Sequence, residues 1–276
     1  MEQQSLFGSS GLDSQNSLKE NLDRLYYKYC VPSFINTDPI QFVYKFSDDV
    51  ERELAGFIAS IMAQGRRVNI ISKTNELLFK IMRGELRDYI LKFDLSNVSE
   101  ELASFNYFAY RNITGTQLAY IFYSLKLVLG KWNSLKNVFG EMYERNKSKD
   151  NIKDTLADVV EELFSWNSEI PQDVLSLVPN PRRGSACKRM NMFLRWMVRK
   201  DQVDTGLWND IIPTSKLVIP LDFHVSKISR ELGLTSRTQD DWTTAEEITN
   251  KLKEFDFNDP VKYDFAIFGY GVSKGK

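Results

Sequence analysis

Residues 179–200 read PNPRRGSACKRMNMFLRWMVRK, a turn signal that runs directly into a helical one. Two prolines and Gly184 punctuate the first part, and Ser185 is a suitable N-cap, a residue whose side-chain oxygen accepts an orphan backbone N–H. Met190, Phe193, Leu194 and Met197 then recur at helical spacing and form an apolar stripe. Lys188, Asn191, Arg195 and Arg199 share roughly the opposite face. Outward from this segment the pattern repeats. Leu54, Phe57, Ile58, Ile61 and Met62 form one stripe, and Leu118, Ile121, Phe122, Leu125 and Leu129 a second. Leu156, Val159, Val160 and Leu163, and then Ala245, Ile248, Leu252 and Phe255, form two more. Only 14 Gly and 8 Pro interrupt 276 residues, so the chain reads as all-α. The stretch Lys216 to Leu221 is the one candidate for extended backbone, because Pro220 disfavours helix at the residue before it.

At 42% hydrophobic and 26% charged, the chain can bury a sizeable core, which excludes wholesale disorder. Lys and Arg number 36 against 37 Asp and Glu, which excludes a uniformly basic coat protein for nucleic acid. Any contact with phosphates has to come from a local patch. One exists: Val174 to Lys200 holds seven cations and no acid, whereas the residues after it carry 13 acids against nine cations. A solvated helix face explains such a strip as readily as a phosphate-tracking surface does. Cys30 and Cys187 are too few for a disulfide framework, a four-thiolate zinc site or an iron-sulfur cluster, which fits a reducing compartment. His224 is the sole histidine, which excludes a multi-histidine metal site; no metal and no cofactor are expected. Residues 1–17 read as a polar tail, and no apolar run approaches bilayer length. A cytoplasmic monomer without a membrane partner is expected.

Two helix starts carry the candidate chemistry. Lys188 falls in a first turn, where the helix dipole and neighbouring Arg189 both disfavour the ammonium, and a neutral lysine amine is a nucleophile. A plain surface lysine is the ordinary alternative. Asp222 follows Pro220 and precedes the stripe Val225, Ile228 and Leu232, so it reads as an N-cap. Accepting backbone N–H bonds aims its carboxylate in a fixed direction. His224, in the same turn, is either a solvated polar residue or a phosphate contact.

A lysine opening a helix after a turn, followed some thirty residues later by Pro-x-Asp-x-His, resembles the helix-hairpin-helix DNA glycosylase superfamily. The spacing is similar to that of the archaeal 8-oxoguanine glycosylase branch, and the chain also resembles a bacterial family of glycosylase-like proteins near it. The likeness extends to Leu54-Ala-Gly-Phe-Ile-Ala-Ser-Ile-Met-Ala-Gln64-Gly-Arg-Arg-Val68, similar to the first barrel helix with its Gln motif. It also covers Asp259-Pro-Val-Lys-Tyr-Asp264-Phe-Ala-Ile-Phe268-Gly, similar to the closing helix. The resemblance implies a two-lobed fold, with a helical barrel lobe over 51–187 that ends in the hairpin. Residues 18–50 would join a C-terminal lobe over 188–276.

The same resemblance implies a DNA repair enzyme of base excision, a glycosylase with AP lyase activity acting on a damaged base such as an oxidised purine. Its partner would be duplex DNA, in a bacterium at the nucleoid. It implies Lys188 as the attacking amine and Asp222 as the essential carboxylate. Gln64 and Asp264 would hydrogen-bond the extruded base, and Phe268 would stack on it. His224 would hold a phosphate, with Arg182, Arg183, Gly184, Arg189 and Arg195 along the DNA. Two departures stand out. The superfamily hairpin usually reads Gly-x-Gly-x-Lys, whereas here it is Gly184-Ser-Ala-Cys-Lys188, and Ala186 allows a less close approach to phosphate. The cysteine ligands of the iron-sulfur branch are absent, and Cys187 reads as a small buried residue. The alternatives are a non-catalytic helical nucleic-acid-binding protein on the same scaffold and an unrelated helical interaction module.

Overall fold

A computed structural model describes residues 12–95 and 107–274. The protein is mostly helical. Helix α1 (Leu12–Tyr29) starts inside the stretch read as a tail, whose residues 1–11 lie outside the described ones. Once Leu18, Leu22 and Leu25 fix a helix against the core, extending it through polar residues costs little. Two 3₁₀ segments follow, Pro32–Thr37 and Pro39–Lys45, and Asp38 caps the second by accepting from Ile40 N.

Helix α2 (Asp49–Met62) is the hub of the first group. Asp48 caps it through Glu51 N at 3.0 Å, and its residues from Glu53 to Met62 are all buried. A helix buried on every side needs neighbours all round. They are the second 3₁₀ segment, α3 (Arg67–Asn75), α4 (Leu86–Lys92), α6 (Leu135–Asn146) and α9 (Lys188–Val198). Gly56 admits α9 closely, since a Cβ there would lie 3.0 Å from Met197 Cε. Between α4 and α6, a minimal hairpin pairs β1 (Ala109–Tyr110) with β2 (Ile113–Thr114), and α5 (Gly115–Trp132) starts on a capping box of Thr114 and Gln117. Helix α7 (Lys153–Phe164) packs on α5 and α6, and a short turn of helix, α8 (Gln172–Leu175), follows it.

The second group comprises α10 (Phe223–Glu231), α11 (Trp242–Lys253) and α12 (Tyr263–Lys274), with α1 laid along α12. Two glycines of α12 permit close approach. A Cβ on Gly269 would meet the Tyr29 ring at 2.4 Å, and one on Gly271 would lie 3.1 Å from His224 Cβ. Lys216 to Leu221 forms no strand; it crosses between the groups with Leu217, Val218 and Ile219 buried, and Ile219 N donates to Thr249 Oγ1. No helix among the described residues is long and apolar enough to cross a membrane.

Candidate functional site

The loop before α9 is held by its own backbone. Asn180 accepts from Arg182 N, Gly184 adopts φ +86° to end the turn, and Gly184 O accepts from Trp242 N at 3.0 Å. Cys187, not Ser185, stands at the N-cap, in the left-handed region at φ +47°. Ser185 instead accepts from Cys187 N at 3.2 Å, and buried Asn191 donates back to Ala186 O at 3.0 Å. The Cys187 thiol, pushed up to about 12 by burial, is an inert packing group. These ties fix Lys188 at the first position of α9.

Asp222 is the N-cap of α10, accepting from Val225 N at 2.8 Å. Lys188 Nζ lies 3.6 Å from Asp222 Oδ2, with the lysine side chain 37% and the aspartate 15% exposed. Lys188 also borders a cleft of about 990 Å³. Gln64, Asn112, Gln172, Arg183 and Arg189 contribute to its wall beside apolar Phe164 and Val178.

Asp264 sits behind this pair. It is buried, its carboxyl pushed up to about 6 by burial, against the pull of Arg195; Asp222 raises it further and Lys188 opposes. Arg195 donates to Asp264 and, at 3.3 Å, to Asp204. Arg199 donates to Asp201, Asp204 and Asp259. The polar face of α9 therefore points inward to acids, and Arg195, 5% exposed, is not available to DNA. This corrects the expectation of a solvated strip. The reason is charge neutralisation: two guanidiniums tolerate burial because four carboxylates meet them.

The other cations divide. Arg182 is spent on Asp154, Asp158 and Glu161, and its surface charge is offset. Arg189 donates to Ile61 O and Ser176 O, and burial lowers it to about 10, still a cation at neutral pH. Arg183 and Gly184 are exposed. His224 lies half-buried against α12, with its ring edge-on to Phe268 at 5.9 Å. Gln64 closes α2 and its main-chain oxygen accepts from the Tyr110 hydroxyl. Gln64 lines the cleft, whereas Asp264 and Phe268 do not, so the three expected base-pocket residues do not share one wall.

Residues 38–273 match the family described as Protein of unknown function (DUF2400). The chain belongs to the DUF2400 family. No curated protein and no solved structure matches it. The match spans both helix starts of this DUF2400 protein, Lys188 and Asp222, and the whole of its buried arginine-aspartate network. Sequence reasoning passed over two contributors near Phe268, namely Phe34 and Arg67. The only sequence signal for the latter was an arginine pair directly after Gln64-Gly65.

Proposed function

We propose that the protein is a DNA glycosylase with AP lyase activity, built on a two-lobed helix-hairpin-helix glycosylase-like fold, that acts on duplex DNA carrying a damaged base. The observation that carries this reading is the Lys188–Asp222 pair: an amine and a carboxylate 3.6 Å apart, each opening a different helix, with Lys188 in the wall of a cleft. A residue fixed in the first turn of a helix is aimed by the backbone, which is the positioning that covalent catalysis needs.

The chemistry runs as follows. The target nucleotide leaves the stack at a cost of a few kcal/mol and comes within reach of Lys188. Nζ sheds a proton, for which Asp222 Oδ2 is the acceptor in reach, and its lone pair forms a bond to C1′. The bond from C1′ to the base breaks, and the base departs with the electron pair and takes up a proton. That proton comes from Asp222, which is ionised again and faces the positive charge shared by C1′ and Nζ as the bonds exchange. The C1′–O4′ bond then breaks as an Nζ proton passes to O4′, which leaves a protonated imine between Lys188 and C1′. Loss of a C2′ proton then expels the 3′ phosphate and cuts the strand.

The test is borohydride reduction in the presence of duplex DNA with an abasic site. The wild type is expected to yield a covalent protein-DNA adduct and Lys188→Gln none. Equal yields from both remove Lys188 from the mechanism.

A further inference from the structure

Arg67 opens α3, three residues after Gln64, and its guanidinium packs against two phenylalanine rings drawn from opposite ends of the chain. Its Cζ is 4.8 Å from the centroid of Phe34 and 5.0 Å from that of Phe268. Each ring is backed by another: Phe34 meets Phe265 edge-on at 5.3 Å, and Phe268 meets His224 at 5.9 Å. A guanidinium is a flat, delocalised cation that stacks on ring faces, and a nucleobase is a flat group that does the same. Phe34 and Phe268 thus offer ring surface suited to a planar group, and a side chain of the protein covers it.

Arg67 is placed to leave. Its side chain is 34% exposed, and its carboxylate partner Asp38 stands 3.4 Å away. It carries its charge at a helix N-terminus, where the dipole disfavours a cation. Asp38 itself is buried and held in place by Ile40 N.

We infer that the space between Phe34 and Phe268 is a binding slot for a planar nucleobase, with Arg67 as its resting occupant. This rests on the proposed reading of the protein as a glycosylase. A base extruded from DNA displaces the guanidinium from Phe268, and the released cation is then free to meet a backbone phosphate. Arg67 thereby sets a threshold: only a base that leaves its stack readily competes for the ring. It is a positioning residue that controls entry, and it takes no part in bond making.

The experiment is binding of a short single-stranded oligonucleotide containing 2-aminopurine to the full chain, read from the quenching of its fluorescence on stacking. Arg67→Ala is expected to bind about tenfold more tightly than wild type, within the range that one base-aromatic stack supplies. Arg67→Ala combined with Phe268→Ala is expected to lose that gain. Equal or weaker binding by a folded Arg67→Ala protein overturns the inference, and so does a gain that persists without Phe268. Should Arg67→Ala not fold, Asp38→Asn loosens the tether alone and is expected to give a smaller gain; no gain there overturns the inference. Binding is read without turnover. A wild type that forms no borohydride adduct therefore refutes the glycosylase reading alone, and a failed gain in binding refutes the slot alone.

Discussion

Replacing Arg195 by methionine keeps most of the side-chain length and deletes the charge that meets Asp204 and Asp264. Asp204 retains Arg199, whereas Asp264 loses its one guanidinium partner while remaining 5% exposed. Removing one member of a buried ion pair costs about 3–5 kcal/mol, because the other charge is left uncompensated. The penalty depends on pH, and its sign can be worked out. Burial already pushes the Asp264 carboxyl up to about 6 against the opposition of Arg195, so losing Arg195 pushes it higher still. An acid whose folded value is raised holds a proton that the unfolded chain has released, so stability falls as pH rises from the unfolded value through the folded one. In wild type that window runs from 3.8 to about 6; in Arg195→Met it extends further upward. Each unit of extension adds about 1.4 kcal/mol to the penalty above the window. Urea unfolding followed by circular dichroism at pH 8 and pH 5 measures it. The variant is expected to lose about 4 kcal/mol at pH 8 and clearly less at pH 5. A penalty equal at both pH values, or below about 1 kcal/mol at pH 8, refutes the assignment of a buried, charge-compensated network.

Asp222→Ala should cost about 0.5–2 kcal/mol in chemical unfolding through loss of the cap on α10, whereas Asp222→Asn, which still caps, should stay near wild-type stability. Both should abolish borohydride trapping if the negative charge is what matters; an active Asp222→Asn would reduce this residue to a cap. Gly269→Ala drives a methyl group into the Tyr29 ring and should cost about 1–3 kcal/mol, seen as a lowered melting temperature. An unchanged melting temperature would mean that α1 is free to shift. Arg182→Ala should leave the salt dependence of DNA binding almost unaltered, because its charge is already matched by three acids. Arg183→Ala should reduce the slope of log affinity against log salt by about 1, and the reverse ranking would mean that the acids near Arg182 release it on binding.

The helices were legible because an apolar stripe runs along each of α2, α5, α7, α9 and α11, and a stripe is a local property of the chain. The starts at Lys188 and Asp222 were legible for a similar reason, since prolines and a glycine mark the turns before them. The direction faced by Arg195 and Arg199 was not legible. A helical wheel separates polar from apolar, but it cannot tell a solvated cation from one met by carboxylates that arrive from distant segments, as Asp259 and Asp264 do. Cys187 was missed as the residue before α9 because its left-handed conformation goes against the preference of a non-glycine residue, in a loop where Asn191 ties Ala186 O and Trp242 ties Gly184 O. Arg67 escaped for want of its partners, Phe34 and Phe268, which lie near the two ends of the sequence.

Tyr29 rests on Gly269, the neighbour of Phe268, while elsewhere on α1 Asp23 accepts from the Tyr263 hydroxyl and Tyr26 donates to Asp201. Helix α1 is thus tied to α12 on both sides of Phe268 along the chain, at Tyr263 and at Gly269. Its outward side presents Tyr27, 72% exposed, as a handle. Through these ties α1 braces the helix that carries Phe268, although it stands more than two hundred residues away along the chain.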